Sequence, residues 1–333
     1  MHCHILDQFG ERASDVPGYV YTCDGWRGRK LVTMLLRTWE LRPDIMHVHL
    51  AHGGSFFPWG WPLVHLTAAT HTVITLHSGF LPSAYRTWPG HRRMAAKSIL
   101  SASDRLICVS SEIEELALGE LRIPKWKVRV IPAFIADTDA KYDSYAGISC
   151  NADAFCQRFP FVFLVSGSFT QVYGFHLALS ALATLPEVCG AVFVAYGPSD
   201  PEYEASVREA IKLQPRALLL ENLQHATFMQ LMNTVSAYVR PTSADGDSVA
   251  VREALSLGQP VIASNCVKRP QSCALFYDGN WQSLATQMNE IVRARPGGQR
   301  CPPSQKCYGQ EVLDLYREVR STGRLARRRH IVV

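Results

Sequence analysis

The sequence lacks several features that mark well-known classes of protein. None of its ten cysteines lies in a CxxC pair, so their spacing supports neither a redox motif nor a zinc site, and we expect reduced thiols. No GxGxxG motif occurs, which argues against the usual dinucleotide-binding turn. No window holds the roughly 18 uncharged apolar residues of a membrane helix. The first residues do not show the basic-then-apolar pattern of a signal peptide. We therefore expect a cytoplasmic protein.

The excess of positive over negative charge is also small. The 333 residues carry a net charge of +5 with histidines neutral, and 19% of them are charged. Such a small excess does not predict nucleic-acid binding, but it suits an anionic small ligand or a membrane surface. The composition is 47% hydrophobic, which leaves ample apolar material for the two domains that this length predicts.

Short apolar segments alternate with segments of helical periodicity. Near-continuous apolar strands separated by helices are typical of parallel strands covered on both faces. The first group of predicted strands comprises Asp44–Leu50, Thr72–Leu76, Arg105–Val109 and Val128–Ile131. The second group comprises Phe161–Val165, Ala191–Ala195, Leu218–Leu220, Ala237–Val239 and Val261–Ala263. The pattern predicts an α/β fold with two doubly wound Rossmann-like domains that face a cleft.

The predicted domains have the following boundaries. Residues 1–135 form an N-terminal domain, 136–155 a linker, 156–300 a C-terminal domain, and 301–333 a final helix with a basic tail. The N-terminal domain looks incomplete, because a doubly wound half normally begins with a strand and a Gly-rich turn. The only early candidate strand is Gly18–Thr22.

Small and polar residues follow several predicted strands, at the sheet edge where open parallel sheets bind ligands. His77 follows one strand of the first group, Gly167 and Ser168 follow the first strand of the second group, and Arg240 ends another. Glycine lets a ligand approach the backbone, and polar side chains supply directed hydrogen bonds.

The most informative segment runs from Tyr238 to Ser264, where a strand leads through Asp245, Gly246 and Asp247 into a helix. Free amides at a helix start favour a diphosphate, and here they belong to Ser248, Val249 and Ala250. Glu253, further along the helix, is a candidate acceptor for ribose hydroxyls. The alternative is that Asp245 or Ser248 only caps the helix and that Glu253 is a surface charge.

This segment resembles the EX7E signature of family 4 retaining glycosyltransferases, with Asp245 in place of the first glutamate. Four other segments resemble the family in order, namely His77–Gly79, Ala102–Ser110, Val130–Pro132 and Ala254–Ser264. The resemblance implies a GT-B fold, a nucleotide-sugar donor, a saccharide or lipid-linked acceptor, and no metal or other cofactor. It also implies that Asp245 through Ser248 contact the donor sugar, Val249 and Ala250 bind phosphate, Glu253 binds ribose, and His77 stands near the sugar.

Two cations of the family are missing. An arginine and a lysine usually contact the diphosphate, but the corresponding positions here read Gly167-Ser168 and Val172-Tyr173-Gly174. Arg240, Arg252 or Lys268 are the candidate substitutes. A nucleotide-sugar epimerase and a non-catalytic subunit of the same architecture therefore stay open as alternatives.

Peripheral membrane contact is a further expectation. The aromatic segment Phe56–Trp61, Trp88 and the basic pair Arg92–Arg93 are the candidates for a surface that meets lipid. An ordinary acceptor pocket or a buried helix is the alternative explanation of the same residues.

Overall fold

The structure is a computed structural model that describes residues 6–7, 10–11, 32, 35–36, 38–40, 42–50, 64–66, 71–132, 150–197, 199–295 and 308–329. The chain divides into two compact units. The first unit comprises residues 1–131 and 312–333, and the second unit comprises residues 132–311.

The first unit contains a parallel sheet of four strands in the order β3-β4-β5-β6. These strands are β3 (Ile45–Leu50), β4 (His71–Leu76), β5 (Arg105–Cys108) and β6 (Val128–Val130). The helices between them are α1 (Leu81–Thr87), α2 (Gly90–Ala102) and α3 (Ser111–Gly119), and a single 3-10 turn, Lys125–Lys127, precedes β6. Two short strands, β1 (Leu6–Asp7) and β2 (Gly10–Glu11), pair antiparallel.

The second unit contains a parallel sheet of six strands in the order β12-β11-β10-β7-β8-β9. The strands are β7 (Phe161–Gly167), β8 (Cys189–Ala195), β9 (Ala217–Glu221), β10 (Ala237–Arg240), β11 (Val261–Ser264) and β12 (Cys273–Phe276). The helices are α4 (Cys150–Arg158), α5 (Phe175–Thr184), α6 (Pro201–Lys212), α7 (His225–Thr234), α8 (Val249–Ser256) and α9 (Trp281–Ala294).

Alternation along the central strand β7 explains why it is apolar throughout. Phe163 packs in one buried cluster with Phe175 and Phe193. Its neighbour Leu164 points to the opposite cluster, which includes Met232 and Tyr238. Since successive side chains point to opposite faces, a strand covered on both faces needs an apolar residue at every position.

The final helix, α10 (Gly309–Arg329), begins in the second unit, and its residues from Val312 belong to the first. Leu315 and Val319 are buried there. Glu318 forms an ion pair with Arg105 of β5, with 2.7 Å between Oε1 and Nη2. No helix of the described ranges is both long enough and apolar enough to cross a bilayer.

The predicted fold class is confirmed, since both units are α/β with parallel sheets. The structure adds β12, α1, α4 and α9, which the sequence pattern did not separate from loops. The predicted strand Gly18–Thr22 lies outside the described residues, as does the aromatic segment Phe56–Trp61.

Trp88 does not offer the membrane surface that was expected of it. Its side chain is buried against Tyr85, and the Arg92 guanidinium lies 4.4 Å from its ring centroid. A tryptophan that is packed and covered in this way contributes to the core of the first unit and not to a lipid contact.

Candidate active site

The connections of the second sheet create a natural binding edge. Strands β7 and β10 are neighbours, yet the chain leaves β7 toward β8 and leaves β10 toward β11, on opposite sides of the sheet. Ligands of open parallel sheets bind beyond the strand ends at such a switch point. The sheet therefore brings together the ends of β7 and β10, which carry the predicted residues Gly167, Ser168 and Arg240.

Asp245 lies in the loop after β10 and is held by two arginines. Arg240 donates from Nε to Oδ2 at 3.0 Å and from Nη2 to Oδ1 at 3.1 Å. Arg269 donates from Nη1 to Oδ2 at 2.8 Å, and its Nη2 reaches Thr242 Oγ1 at 3.1 Å. All three charged side chains are less than 10% exposed. The carboxylate is thus anchored to the protein on both oxygens.

This cluster carries more positive than negative charge. Burial opposes ionisation of Asp245, but the adjacent Arg240 and Arg269 guanidiniums hold the pKa of its carboxyl below the ordinary value. Burial also opposes the charge of Arg240, and Asp245 more than offsets it, so the pKa of the guanidinium is raised. Two guanidinium groups against one carboxylate leave an excess positive charge in a buried place, which favours an anion nearby.

The expected room above Gly167 is occupied by an aromatic ring. A Cβ added to Gly167 would lie 2.2 Å from Cδ1 of Tyr173. The Arg240 guanidinium lies 5.0 Å from the centroid of the same ring. The Ser168 hydroxyl is 3.3 Å from that of Thr170. The glycine therefore admits Tyr173, and Tyr173 in turn supports Arg240.

Helix α8 starts where the sequence predicted it. Ser248 is the N-cap, and its Oγ accepts a 3.4 Å hydrogen bond from the Val251 amide. The Gly246 amide donates to Asp245 Oδ1 at 3.2 Å. Among the described residues, no acceptor outside the helix lies at the amides of Val249 and Ala250. Unpaired amides at a helix start are the groups that bind phosphate oxygens.

Asp247 forms an ion pair with Arg252 of helix α8. Its two oxygens accept from Arg252 Nε at 2.7 and 2.6 Å, and the Arg252 guanidinium lies 5.1 Å from the Tyr308 ring centroid. The pair connects the helix start to its own second turn. The predicted contact of Asp247 with a donor stays a prediction.

Glu253 is buried in the second turn of α8, with 9% of its side chain exposed. The only side chain that bonds to it within the described residues is His225, the first residue of α7, whose Nε2 lies 2.7 Å from Oε1. Buried carboxylates normally have several donors. A buried carboxylate with a single donor is suited to accept further hydrogen bonds from a ligand.

His77 belongs to the first unit, where it forms part of a group of three histidines. His49 Nδ1 lies 2.9 Å from His77 Nε2, and the two rings stack at 5.1 Å. His47 Nε2 lies 2.6 Å from Thr75 Oγ1, and its Nδ1 lies 2.5 Å from the hydroxyl of Tyr316 on α10. Residues 47 and 49 share one face of β3, because side chains alternate along a strand.

Loss of solvation lowers the pKa of all three rings below the ordinary value of histidine, so they are neutral near pH 7. Loss of solvation, with a smaller contribution from His49, lowers the pKa of His77 to about 4. Loss of solvation also lowers the pKa of His47 well below its ordinary value, and the other two histidines add to the shift. Although three imidazoles are close together, no group of described residues is arranged to hold a metal ion. Metal independence stays a prediction.

Several residues of these two groups were not identified from the sequence. Arg269 and His225 are 24 and 28 residues away from their carboxylate partners along the chain, and no local motif connects such pairs. Tyr173 was noted only because it lies where the family usually has a lysine. His47 and His49 are two residues apart on a predicted strand, and this spacing is the one local signal that could have placed them on the same face of the sheet.

Comparisons with known proteins agree with this architecture. The model of glycosyltransferase family 4 matches residues 11–138, and that of the glycosyl transferases group 1 matches residues 160–294. A search of curated protein sequences found no significant match.

Solved structures with similar folds include glycosyltransferases and sugar-phosphate synthases. Anabaena HepE in complex with UDP-glucose has a TM-score of 0.67 at 17% identity, over 92% of this chain and 85% of that one. Sucrose-phosphate synthase from Thermosynechococcus elongatus has a TM-score of 0.59 at 20% identity, over 95% and 82%. A UDP-forming α,α-trehalose-phosphate synthase from Burkholderia xenovorans, in complex with glucose-6-phosphate, has a TM-score of 0.64 at 10% identity, over 91% and 77%.

Proposed function

The chain belongs to the family 4 glycosyltransferases and has the GT-B fold, and from that premise we propose which reaction it carries out. It transfers a sugar from a nucleotide-diphosphate sugar to a saccharide or lipid-linked acceptor, with retention of the anomeric configuration and without a metal ion. The product is a cell-surface polysaccharide or a glycolipid. A UDP-sugar is the first donor to test, because the similar Anabaena protein was solved with UDP-glucose.

The observation that carries this proposal is the environment of Glu253. Its carboxylate is buried, it has one protein donor, and it lies on the helix whose amides at Val249 and Ala250 open at the switch point of the sheet. A carboxylate that accepts hydroxyl hydrogen bonds beside a helix start that binds phosphate is what a nucleoside diphosphate requires.

The remaining residues have roles that follow from their charge. The excess positive charge of Arg240 and Arg269 over Asp245 stabilises the diphosphate as it leaves, in the place of the two missing family cations. Asp245 keeps both guanidiniums and the helix-start loop in position. His77, as a neutral ring, offers a hydrogen bond to a sugar hydroxyl.

The variant Glu253→Gln tests the proposal. It keeps the size of the side chain but removes the charge that ribose hydroxyls would meet, and loss of a hydrogen bond to a charged group weakens binding by about 10- to 100-fold. We expect calorimetry to show that loss with UDP, and we expect transfer and donor hydrolysis to fall with it.

The matched control is Glu209→Gln, since Glu209 is an exposed residue of α6 with 63% of its side chain accessible. It should bind UDP as the unmodified chain does. If Glu253→Gln binds UDP, GDP and ADP as tightly as the unmodified chain, the assignment of the donor site is wrong.

A non-catalytic subunit is the second candidate, and two observations favour it. Tyr173 lies where the family usually has a lysine that contacts the diphosphate. Both carboxylate oxygens of Asp245 are already bonded to arginines. Thermal-shift measurements with UDP, GDP and ADP sugars separate the candidates, because a ligand that binds only the folded state raises its Tm. Product analysis with and without an acceptor then distinguishes transfer from epimerisation.

A further inference from the structure

The bond between His225 and Glu253 joins a surface residue to a buried one. The His225 side chain is 66% exposed, whereas that of Glu253 is 9% exposed. A carboxylate oxygen accepts and an imidazole N–H donates, so Nε2 of His225 carries the hydrogen in this bond and Nδ1 points elsewhere.

The backbone brings His225 to this position through a specific turn. Strand β9 ends at Glu221, and the next residue, Asn222, has a left-handed φ of 51°. Asparagine tolerates that conformation better than most residues. The turn leads directly to His225 at the start of α7, and α7 packs beside α8 in the same buried cluster.

We propose that His225 is a positioning residue for ribose recognition, a role that rests on the proposed function. The outer torsion of a glutamate side chain is broad, so a lone carboxylate can rotate about its last bond. The hydrogen bond to Oε1 fixes that rotation. The plane of the carboxylate is then set before the donor arrives, and Oε2 is directed to accept from the ribose hydroxyls.

Removal of the His225 ring distinguishes positioning from obstruction. A ring that occupied the ribose position would have to leave when a nucleotide binds, and its removal would tighten binding. A ring that only orients the carboxylate has the opposite effect, because its removal restores rotational freedom that binding must then restrict.

The test measures nucleotide affinity and does not depend on knowing the acceptor. Calorimetry on the full chain would compare UDP with 2′,3′-dideoxy-UDP, which lacks both hydroxyls, and would repeat the pair with GDP and ADP. We expect His225→Ala to weaken binding of the ribonucleotide by about 5- to 10-fold and to leave binding of its dideoxy form within twofold.

Two further variants separate positioning from a general surface effect. His225→Gln carries an amide nitrogen that can donate to Glu253 from a similar position, so it should restore ribonucleotide affinity. His176→Ala is the matched control, because His176 is also an exposed histidine in the first turn of a helix, bonded to Tyr203 at 2.9 Å. It should change neither affinity.

Each remaining outcome has a definite meaning. Equal weakening of the ribonucleotide and dideoxy forms, or tighter binding by His225→Ala, overturns the positioning role and leaves the donor site intact. An unmodified chain that binds none of the three nucleotides overturns the proposed function, and the role of His225 falls with it.

Discussion

The two units hold their candidate functional side chains by different means. In the first unit, three imidazoles whose pKa is lowered by loss of solvation are linked to one another, to Thr75 and to Tyr316. In the second unit, fully charged groups are buried in pairs, with Asp245 between Arg240 and Arg269. The groups of the first unit form hydrogen bonds without net charge, whereas those of the second unit are charged and are held by a bidentate contact from Arg240 and a single contact from Arg269.

The two kinds of group suit different ligand chemistry. Sugar hydroxyls are neutral and directional, and a neutral imidazole meets them with one donor and one acceptor. A diphosphate is anionic, and guanidinium groups and helix amides meet it without a change of protonation. The comparison also predicts different responses to mutation, since removing one partner of a buried ion pair costs more than removing a neutral hydrogen bond.

The largest effect should come from Asp245→Ala. This change leaves two buried guanidiniums without their shared carboxylate, and we expect the free energy of unfolding to fall by about 3–5 kcal/mol. Urea unfolding followed by circular dichroism gives the value. The control is Asp314→Ala, which removes an exposed partner of Arg317 with 60% of its side chain accessible and should cost less than about 1 kcal/mol.

Similar losses in the two aspartate variants would contradict the comparison, because they would mean that burial gives the Asp245 cluster no special weight. The variant Arg269→Ala tests the same cluster from the other side. It removes a guanidinium that also bonds to Thr242 and to the Ser264 carbonyl, so it should also destabilise the loop that follows β10.

A second effect is the dependence of stability on pH in the first unit. The pKa of His77 is about 4 in the folded chain, against an ordinary value near 6.5. Between these values the unfolded chain binds a proton that the folded chain does not, so stability falls as pH decreases from about 6.5 to 4. One pKa unit corresponds to about 1.4 kcal/mol, and partial exposure of the ring reduces the expected share of His77 to about 1–2 kcal/mol.

The variant His77→Gln cannot take up that proton. Its unfolding free energy, measured at pH 7.5 and at pH 4.5, should therefore change less between the two than that of the unmodified chain. The pH dependence that Asp245 contributes is common to both proteins, so it cancels when their two changes are compared. Parallel losses in both proteins would show that His77 is not held neutral by the fold.

The sequence predicted the parts of the molecule that depend on local pattern. The continuous apolar run of β7 and the helix start at Ser248 were both found, because strand periodicity and capping residues are properties of neighbouring positions. The alternative interpretation is correct that Ser248 caps the helix, since its Oγ accepts from Val251, but wrong that Glu253 is a surface charge, since its side chain is buried.

The parts that were not predicted depend on packing between distant segments. No pattern near Asp245 indicates that Arg269 will bond to it, and none near Glu253 indicates His225. Tyr173 shows the same limit, because Gly167 was interpreted as open space for a ligand while the fold fills that space with an aromatic ring. Residue type and spacing locate a functional segment, but the partners of its charges come from the tertiary structure.

The smallest effect should come from Tyr316→Phe, which tests how far the final helix supports the histidine group. The change removes the hydroxyl that lies 2.5 Å from His47 Nδ1 and leaves the ring in place, so we expect a loss of about 1 kcal/mol in unfolding free energy. Tyr203→Phe in the second unit is the control, because it breaks the bonds of a tyrosine hydroxyl to the ring and the backbone amide of His176 at an exposed position, where water can replace the lost partners. If Tyr203→Phe costs as much as Tyr316→Phe, the contact with α10 adds nothing to the first unit beyond an ordinary surface hydrogen bond.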